Sequence, residues 1–201
     1  MLFRSVAAWP WSNGREVELW ERRSTAPAVP FDADFLRLAR GMERGPAGLL
    51  PLFARIGPEH QLDAQFLYQD RVRRWALTRL RDHPGDADAQ WPLALIATLR
   101  NRPAEAERWY AALQAQDPAN PWPLAYRAVV LLADWKPGKA FAALADSPAP
   151  VRREPVLQAL EDLSGVLSGR VLRLGHLRAS LPMAIDEVKR RLEKARASGP
   201  P

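Results

Sequence analysis

Cysteine is absent from the 201 residues, and only three histidines are present. The lack of thiols excludes disulfides, cysteine-ligated zinc, iron–sulfur clusters and cysteine nucleophiles. The histidines, His60, His83 and His176, form no His-x-x-x-His pair, so no two of them fall on one helix face as metal ligands do. We therefore expect no cofactor and no metal, and we interpret each histidine as a surface or capping residue.

Long apolar runs are also missing. The longest stretches, Pro92 to Leu99 and Ala128 to Ala133, fall far below the roughly 18 residues that a membrane span requires. The first residues show no apolar core of a secretory signal followed by a small-residue cleavage site. The sequence predicts no membrane span and a cytoplasmic location.

Lysine is scarce: only four of the 29 basic residues are lysines, so arginine supplies most of the net charge of +6 against 23 acidic residues. Acidic residues are interspersed among the arginines, which does not favour a dedicated nucleic-acid stripe. A basic cluster near the C-terminus is a candidate contact for an anionic partner, and its simpler interpretation is a solvated helix that seals the helical body. The cluster consists of Lys189, Arg190 and Arg191.

Catalytic motifs are lacking as well. The glycines form no phosphate-binding loop, and neighbouring carboxylates are adjacent or two residues apart, so they do not converge on one helix face as an acid–base pair would. We interpret these carboxylates as solvated surface and predict that the protein is not an enzyme. The pairs are Glu105 with Glu107, Glu161 with Asp162, and Asp186 with Glu187.

Residues 1–30 form an N-terminal arm and linker. Asn13-Gly14 favours a tight hairpin turn in which Trp11 faces Glu16 and Trp9 faces Glu18. A helix capped by Asn13 is the competing interpretation. Because an apolar, non-helical terminus does not stay solvated, we expect Trp9, Trp11 and Trp20 to fold back over the helical body or to dock onto another subunit.

From residue 31 to 197 the pattern is helical. Phe35, Leu38 and Met42 predict one helix that ends at Gly45-Pro46, and a later helix runs from Glu59 to Asp82. Near the C-terminus, Pro182 predicts the start of a last helix. Its apolar stripe is formed by Ile185, Val188 and Leu192.

The central stretch contains an internal repeat. Residues 90–113 align with 121–144 at an offset of 31, which places Trp91 on Trp122. Each unit predicts a pair of helices. The first helix is capped by Asp88 or Asn120, the chain breaks at Asn101-Arg102 or Asp134-Trp135, and the second helix opens with Pro103 or Pro137.

The first unit resembles the tetratricopeptide-repeat superfamily. Leu93-Ala94, Ala106, Tyr110 and Pro118 follow the family's pattern of a large–small pair, a small residue, an aromatic residue and a closing proline. The resemblance covers about residues 58–147 and implies an all-α fold of stacked antiparallel helical hairpins, an α-solenoid. Residues 151–197 would then be the C-terminal capping helices of the helical-repeat domain.

The resemblance also implies a scaffold or assembly factor that binds a protein partner in a concave groove lined by the first helix of each pair. Burial of Trp91 and Trp122 in the core is the competing interpretation. A structural subunit of a larger complex and a nucleic-acid-binding repeat protein are the alternative functions. The groove positions are Trp91, Leu95, Thr98, Trp122, Tyr126 and Val129.

Overall fold

A computed structural model of the protein describes residues 3–10, 16–22, 39–45, 69–170 and 172–197. These residues are mainly α-helical, with one two-stranded sheet near the N-terminus. The chain divides into two compact units, Met1–Pro30 and Phe31–Pro201. The sheet belongs to the first unit and every described helix to the second.

The N-terminal unit contains an antiparallel ribbon of β1 (Phe3–Pro10) and β2 (Glu16–Arg22). The chain thus takes the hairpin and not the competing helix. The predicted register is wrong by one residue: Trp9 pairs with Val17, and Pro10 pairs with Glu16. Five residues then separate the last pair, an odd number that a two-residue Asn-Gly turn does not allow. Trp11 and the side chains of the arm's tryptophans lie outside the described residues.

The second unit begins, in the described residues, with the short segment 39–45. Met42 to Arg44 form a single 3-10 turn, and Met42 is buried as the sequence pattern predicts. Phe35, Leu38 and the predicted helix residues 59–68 lie outside the described residues.

Within the described ranges, eight helices follow, and consecutive ones contact each other along most of the unit. They are α1 (Gln69–Asp82), α2 (Ala87–Leu99), α3 (Pro103–Gln116), α4 (Pro121–Ala133), α5 (Pro137–Ala145), α6 (Ala149–Arg152), α7 (Pro155–Leu167) and α8 (Arg173–Ala197).

Helix boundaries in this unit recur at a constant offset of 34. The helices α2, α4 and α7 begin at residues 87, 121 and 155 and end at 99, 133 and 167. The helices α3 and α5 begin at 103 and 137. The offset of 31 between the two tryptophans is therefore not the structural repeat, and Trp91 corresponds to Ala125 and not to Trp122.

Side-chain caps fix the starts of α2 and α4 at equivalent positions. Asp86 accepts a hydrogen bond from the Asp88 amide at the start of α2, and Asn120 accepts one from the Trp122 amide at the start of α4. The first of these corrects the predicted cap, because Asp88 already lies inside the helix. Asn120 is confirmed as a cap, and Pro103 and Pro137 are confirmed as the first residues of their helices.

The ends of α2, α4 and α7 close in the same way. The amide of residue 102, 136 or 170 donates to the carbonyl of residue 97, 131 or 165. The residue before the donor has a positive φ, as this closure requires. These residues are Asn101, Trp135 and Gly169.

The core lies between successive helices. Nine consecutive residues of α2, Ala89 to Ala97, are buried, so this helix is enclosed on all sides. Its neighbours contribute Tyr110 from α3 and Leu124 and Leu131 from α4. Because the enclosed helix is a predicted groove helix, its burial bears directly on the predicted site.

The last helix is longer than predicted. Pro182 lies inside α8, which runs without a break from Arg173 to Ala197. A proline removes one helical hydrogen bond, here to the carbonyl of Arg178, and both Pro182 and Arg178 are exposed. Of the predicted apolar stripe, Ile185 is exposed, and Val188 and Leu192 are half-buried.

Candidate functional site

The predicted groove tryptophans are core residues. Trp91 is 3% exposed and Trp122 is 5% exposed, and Leu95 is buried as well. The Trp91 ring meets Tyr110 and Tyr126 edge-on, with centroids 6.3 and 6.2 Å away. These side chains are therefore unable to anchor a partner, and the core interpretation is correct for both tryptophans.

Trp122 is covered by the chain itself from two directions. Gly45 lies against its indole ring, and the Arg191 guanidinium of α8 lies 5.0 Å from the ring centroid. The Asn120 side chain also donates to the Glu43 carbonyl. The position predicted to be open at the start of α4 is thus filled by segment 39–45 and by the end of α8.

Tyr126 continues the aromatic cluster. Its ring stacks on Tyr110 with centroids 5.6 Å apart. Its hydroxyl is buried and finds no hydrogen-bond partner among the described residues. Desolvation and the neighbouring Tyr110 raise the pKa of Tyr126 well above the usual 10.0, and desolvation raises the pKa of Tyr110 to about 12. Neutral phenols fill this junction between α2, α3 and α4.

Thr98 and Val129 differ from the other four predicted residues. Both are exposed. The Thr98 hydroxyl donates to the Ala94 carbonyl at 2.8 Å and lies 3.1 Å from the Tyr110 hydroxyl, so it supports the core. Two exposed side chains separated by buried neighbours do not form the predicted groove.

The basic cluster of α8 is largely paired with acidic residues. Arg190 and Arg191 both donate to Glu187, and these hydrogen bonds lower the pKa of that carboxyl. Arg191 also pairs with Glu154 at 2.8 Å. Lys189 is exposed. Glu187 and Glu154 thus partly neutralise the positive charge of the predicted contact for an anionic partner. Arg191 also joins α8 to the start of α7.

Two carboxylates predicted to be solvated are buried. Glu161 is 7% exposed and Asp162 is 5% exposed. Arg173 pairs with both, at 3.2 and 3.1 Å, and the Ser180 hydroxyl donates to Asp162 at 2.8 Å. The sequence pattern missed them because adjacent acids on a helix are normally exposed, and only the antiparallel packing of α8 encloses both.

These carboxylates line a cavity of about 470 Å³ between α7 and α8. Its wall also includes Arg152, Gln158 and His176. Arg173 and Ser180 satisfy both oxygens of Asp162, so these contacts join α7 to α8. In the part of the chain that the structure describes, no three metal-ligating side chains converge.

The sequence pattern also missed an exposed tryptophan. Trp135 is 82% exposed and has a φ of +52°, in the turn after α4. Gly169 and Asn101 hold the corresponding positions, and they are the residue types that tolerate a left-handed backbone. A bulky residue at this φ costs about 1 kcal/mol, and here no burial of the ring offsets that cost.

Apolar side chains are also exposed on α8. Leu174, Leu181 and Ile185 are seven and four residues apart, so they lie on one face of the helix. Leu181 and Ile185 are each 46% exposed. Met183 is exposed as well, but it points to the opposite side of α8 and borders the cavity. We refer to Leu174, Leu181 and Ile185 as the α8 outer face.

None of the described helices has an apolar stretch of the length that a bilayer crossing needs. Comparison of the chain with models of protein families, with curated proteins and with solved structures finds no match.

Proposed function

We propose that this protein is a non-enzymatic interaction module that binds a protein partner through the α8 outer face. The observation that carries the proposal is the exposure of Leu174, Leu181 and Ile185 on one side of one helix. Monomeric proteins scatter single apolar residues over their surfaces, whereas aligned aliphatic side chains are typical of contact sites.

Two further features support an interaction module of the tetratricopeptide-repeat type. The offset of 34 between successive helix boundaries equals the period of that family. The helices are joined by short connections and contact their neighbours in order, as in repeat proteins that present surfaces to partners. The contact surface proposed here differs from the groove predicted from the sequence, because Trp91 and Trp122 are buried.

A photo-crosslinking experiment tests this function. A benzophenone amino acid placed at Leu181 of the full chain, in cells that contain its natural partners, is expected to crosslink one discrete protein. With the crosslinker at Leu181, Ile185→Asp should reduce recovery of that protein at least tenfold, because a carboxylate in an apolar contact must be desolvated.

Met183→Asp is the matched control, since it introduces the same charge on the opposite side of α8 and should leave recovery unchanged. Recovery that is equal in both variants, or absent with the crosslinker at Leu181, would refute the proposed surface.

A further inference from the structure

Two of the three residues of the α8 outer face, Leu174 and Leu181, occupy positions that are buried in α3. At the structural offset of 34, Leu174 corresponds to Ala140 of α5 and to Ala106 of α3, and both alanines are fully buried. Position 178 corresponds likewise to Tyr110 and Leu144, each 1% exposed. At positions 174 and 178 the side chain is thus exposed on α8 and buried on α3 and α5.

The contacts of Tyr110 explain what buries this position. Its ring touches Trp91 of α2, its own partner helix, and stacks on Tyr126 of α4, the helix that follows. The next pair repeats this order, because α5 contacts both α4 and α7. On α8 the contact with the preceding helix is present through Arg173 and Ser180. Among the described residues, no helix takes the place that α4 takes on α3.

The centre of this face differs from its equivalents in charge. Where α3 has Tyr110 and α5 has Leu144, α8 has Arg178, which is exposed and pairs with no carboxylate of the described residues. Lys189 lies eleven residues further, three turns along the same flank. An arginine surrounded by aliphatic side chains favours a partner that supplies a carboxylate there.

We infer that the partner segment is an amphipathic helix that packs on α8 as α4 packs on α3 and presents a carboxylate to Arg178. This inference rests on the proposed function and specifies the partner's chemistry. Leu174, Leu181 and Ile185 are seven and four residues apart, so they form one apolar stripe against which the apolar face of a second helix can pack. The carboxylate sets the register and excludes basic helices.

A helix taken from this chain is the probe. Peptides spanning Asn120–Asp134 reproduce α4, and Tyr126 is the residue that meets Tyr110 in the protein. One peptide carries Tyr126→Glu and the other Tyr126→Lys, so they differ only in the charge offered to Arg178. A lactam bridge between Val129→Lys and Ala133→Asp holds the helix, because both of these positions are exposed in the intact protein.

Fluorescence anisotropy with the full chain measures binding. The Glu peptide is expected to bind at least tenfold more tightly than the Lys peptide, and Arg178→Glu in the protein should reverse this order. Leu181→Asp should abolish binding of both peptides, whereas Met183→Asp should not change it. Circular dichroism is used to check that each variant keeps its helical content.

Equal affinities, no binding of either peptide, or binding that survives Leu181→Asp would overturn the inference. The outcomes separate it from the proposed function. If Leu181 crosslinks a partner but the peptides do not distinguish Glu from Lys, the acidic helix is refuted and the interaction surface stands. If no protein crosslinks at Leu181, the proposed function fails first.

Discussion

At the scale of single residues, Gly45 shows how closely the chain packs on Trp122. A Cβ atom built on Gly45 would lie 2.5 Å from Cζ2 of the indole, and the backbone there has a φ of +91°. Both the space and the backbone conformation therefore require glycine. Gly169 has nearly the same φ, +89°, but a Cβ atom built there would have no neighbouring atom within 4 Å.

These two glycines make a matched pair of variants. Gly169→Ala should lower the free energy of unfolding by about 1 kcal/mol, the cost of a left-handed alanine. Gly45→Ala should lower it by about 3 kcal/mol or more, because overpacking adds to the same backbone cost. Urea denaturation followed by circular dichroism measures both. Equal losses would show that the contact between Gly45 and Trp122 does not form.

The tryptophans illustrate what the sequence could and could not predict for a residue. The Trp-Pro-Leu-Ala letters recur at an offset of 31, but the structural offset is 34, so Trp91 and Trp122 occupy different places in their helices. The burial of Trp91 depends on Tyr126, and that of Trp122 depends on Gly45 and Arg191. Each of these residues is distant in the sequence from the tryptophan that it contacts. No local pattern contains that information.

At the scale of a secondary-structure element, the C-terminal part of α8 covers the start of α4. Arg191 stacks over Trp122 and pairs with Glu154 and Glu187, whereas Arg190 pairs with Glu187 at the surface. The Arg191 side chain is mostly buried and its neighbour's is mostly exposed. The two adjacent arginines therefore differ in what they stabilise.

Arg191→Ala is expected to lower the free energy of unfolding by about 1.5 kcal/mol, since it removes a cation–π contact and a partly buried ion pair. It should also shift the tryptophan fluorescence to longer wavelength, because Trp122 loses its cover. Arg190→Ala, the control, should cost less than about 0.5 kcal/mol, as exposed ion pairs do. Similar losses in the two variants would contradict a stabilising contact between Arg191 and Trp122.

Helix ends were more predictable than helix contacts. Asn120, Pro103 and Pro137 mark their boundaries because capping and the missing amide of proline act within one turn. Pro182 gave the wrong boundary, since an exposed proline interrupts one hydrogen bond without ending a helix that α7 supports along its length. The burial of Glu161 and Asp162 was missed for the same reason: it depends on a second helix.

At the scale of the whole helical unit, Tyr110 and Tyr126 join successive helix pairs. Burial raises the pKa of both phenols above 10.0, and that of Tyr110 to about 12. A raised pKa means that the folded state holds the proton more tightly than the unfolded chain does. The stability from these neutral phenols is therefore complete below about pH 10 and is lost as the pH rises toward 12.

The free energy of unfolding, measured by urea denaturation, should be lower at pH 11 than at pH 8 by about 1 kcal/mol for each of the two tyrosines. Tyr110→Phe removes one ionisable group, so its unfolding free energy should fall less steeply over the same interval, although its hydrogen bond to Thr98 is also lost. A slope identical to that of the wild type would mean that Tyr110 ionises equally well in the folded and unfolded states.

The recurring caps and closures have a consequence for how such a chain can change its length. The segment from Asp86 to Ala119 contains one complete unit, from one cap to the residue before the next. A tandem copy of this segment inserted before Asn120 would keep the spacing of 34 residues between successive caps and would repeat the same helix closure. Duplication of the whole unit therefore preserves the register of the helix caps and closures, whereas an insertion of any other length would shift it.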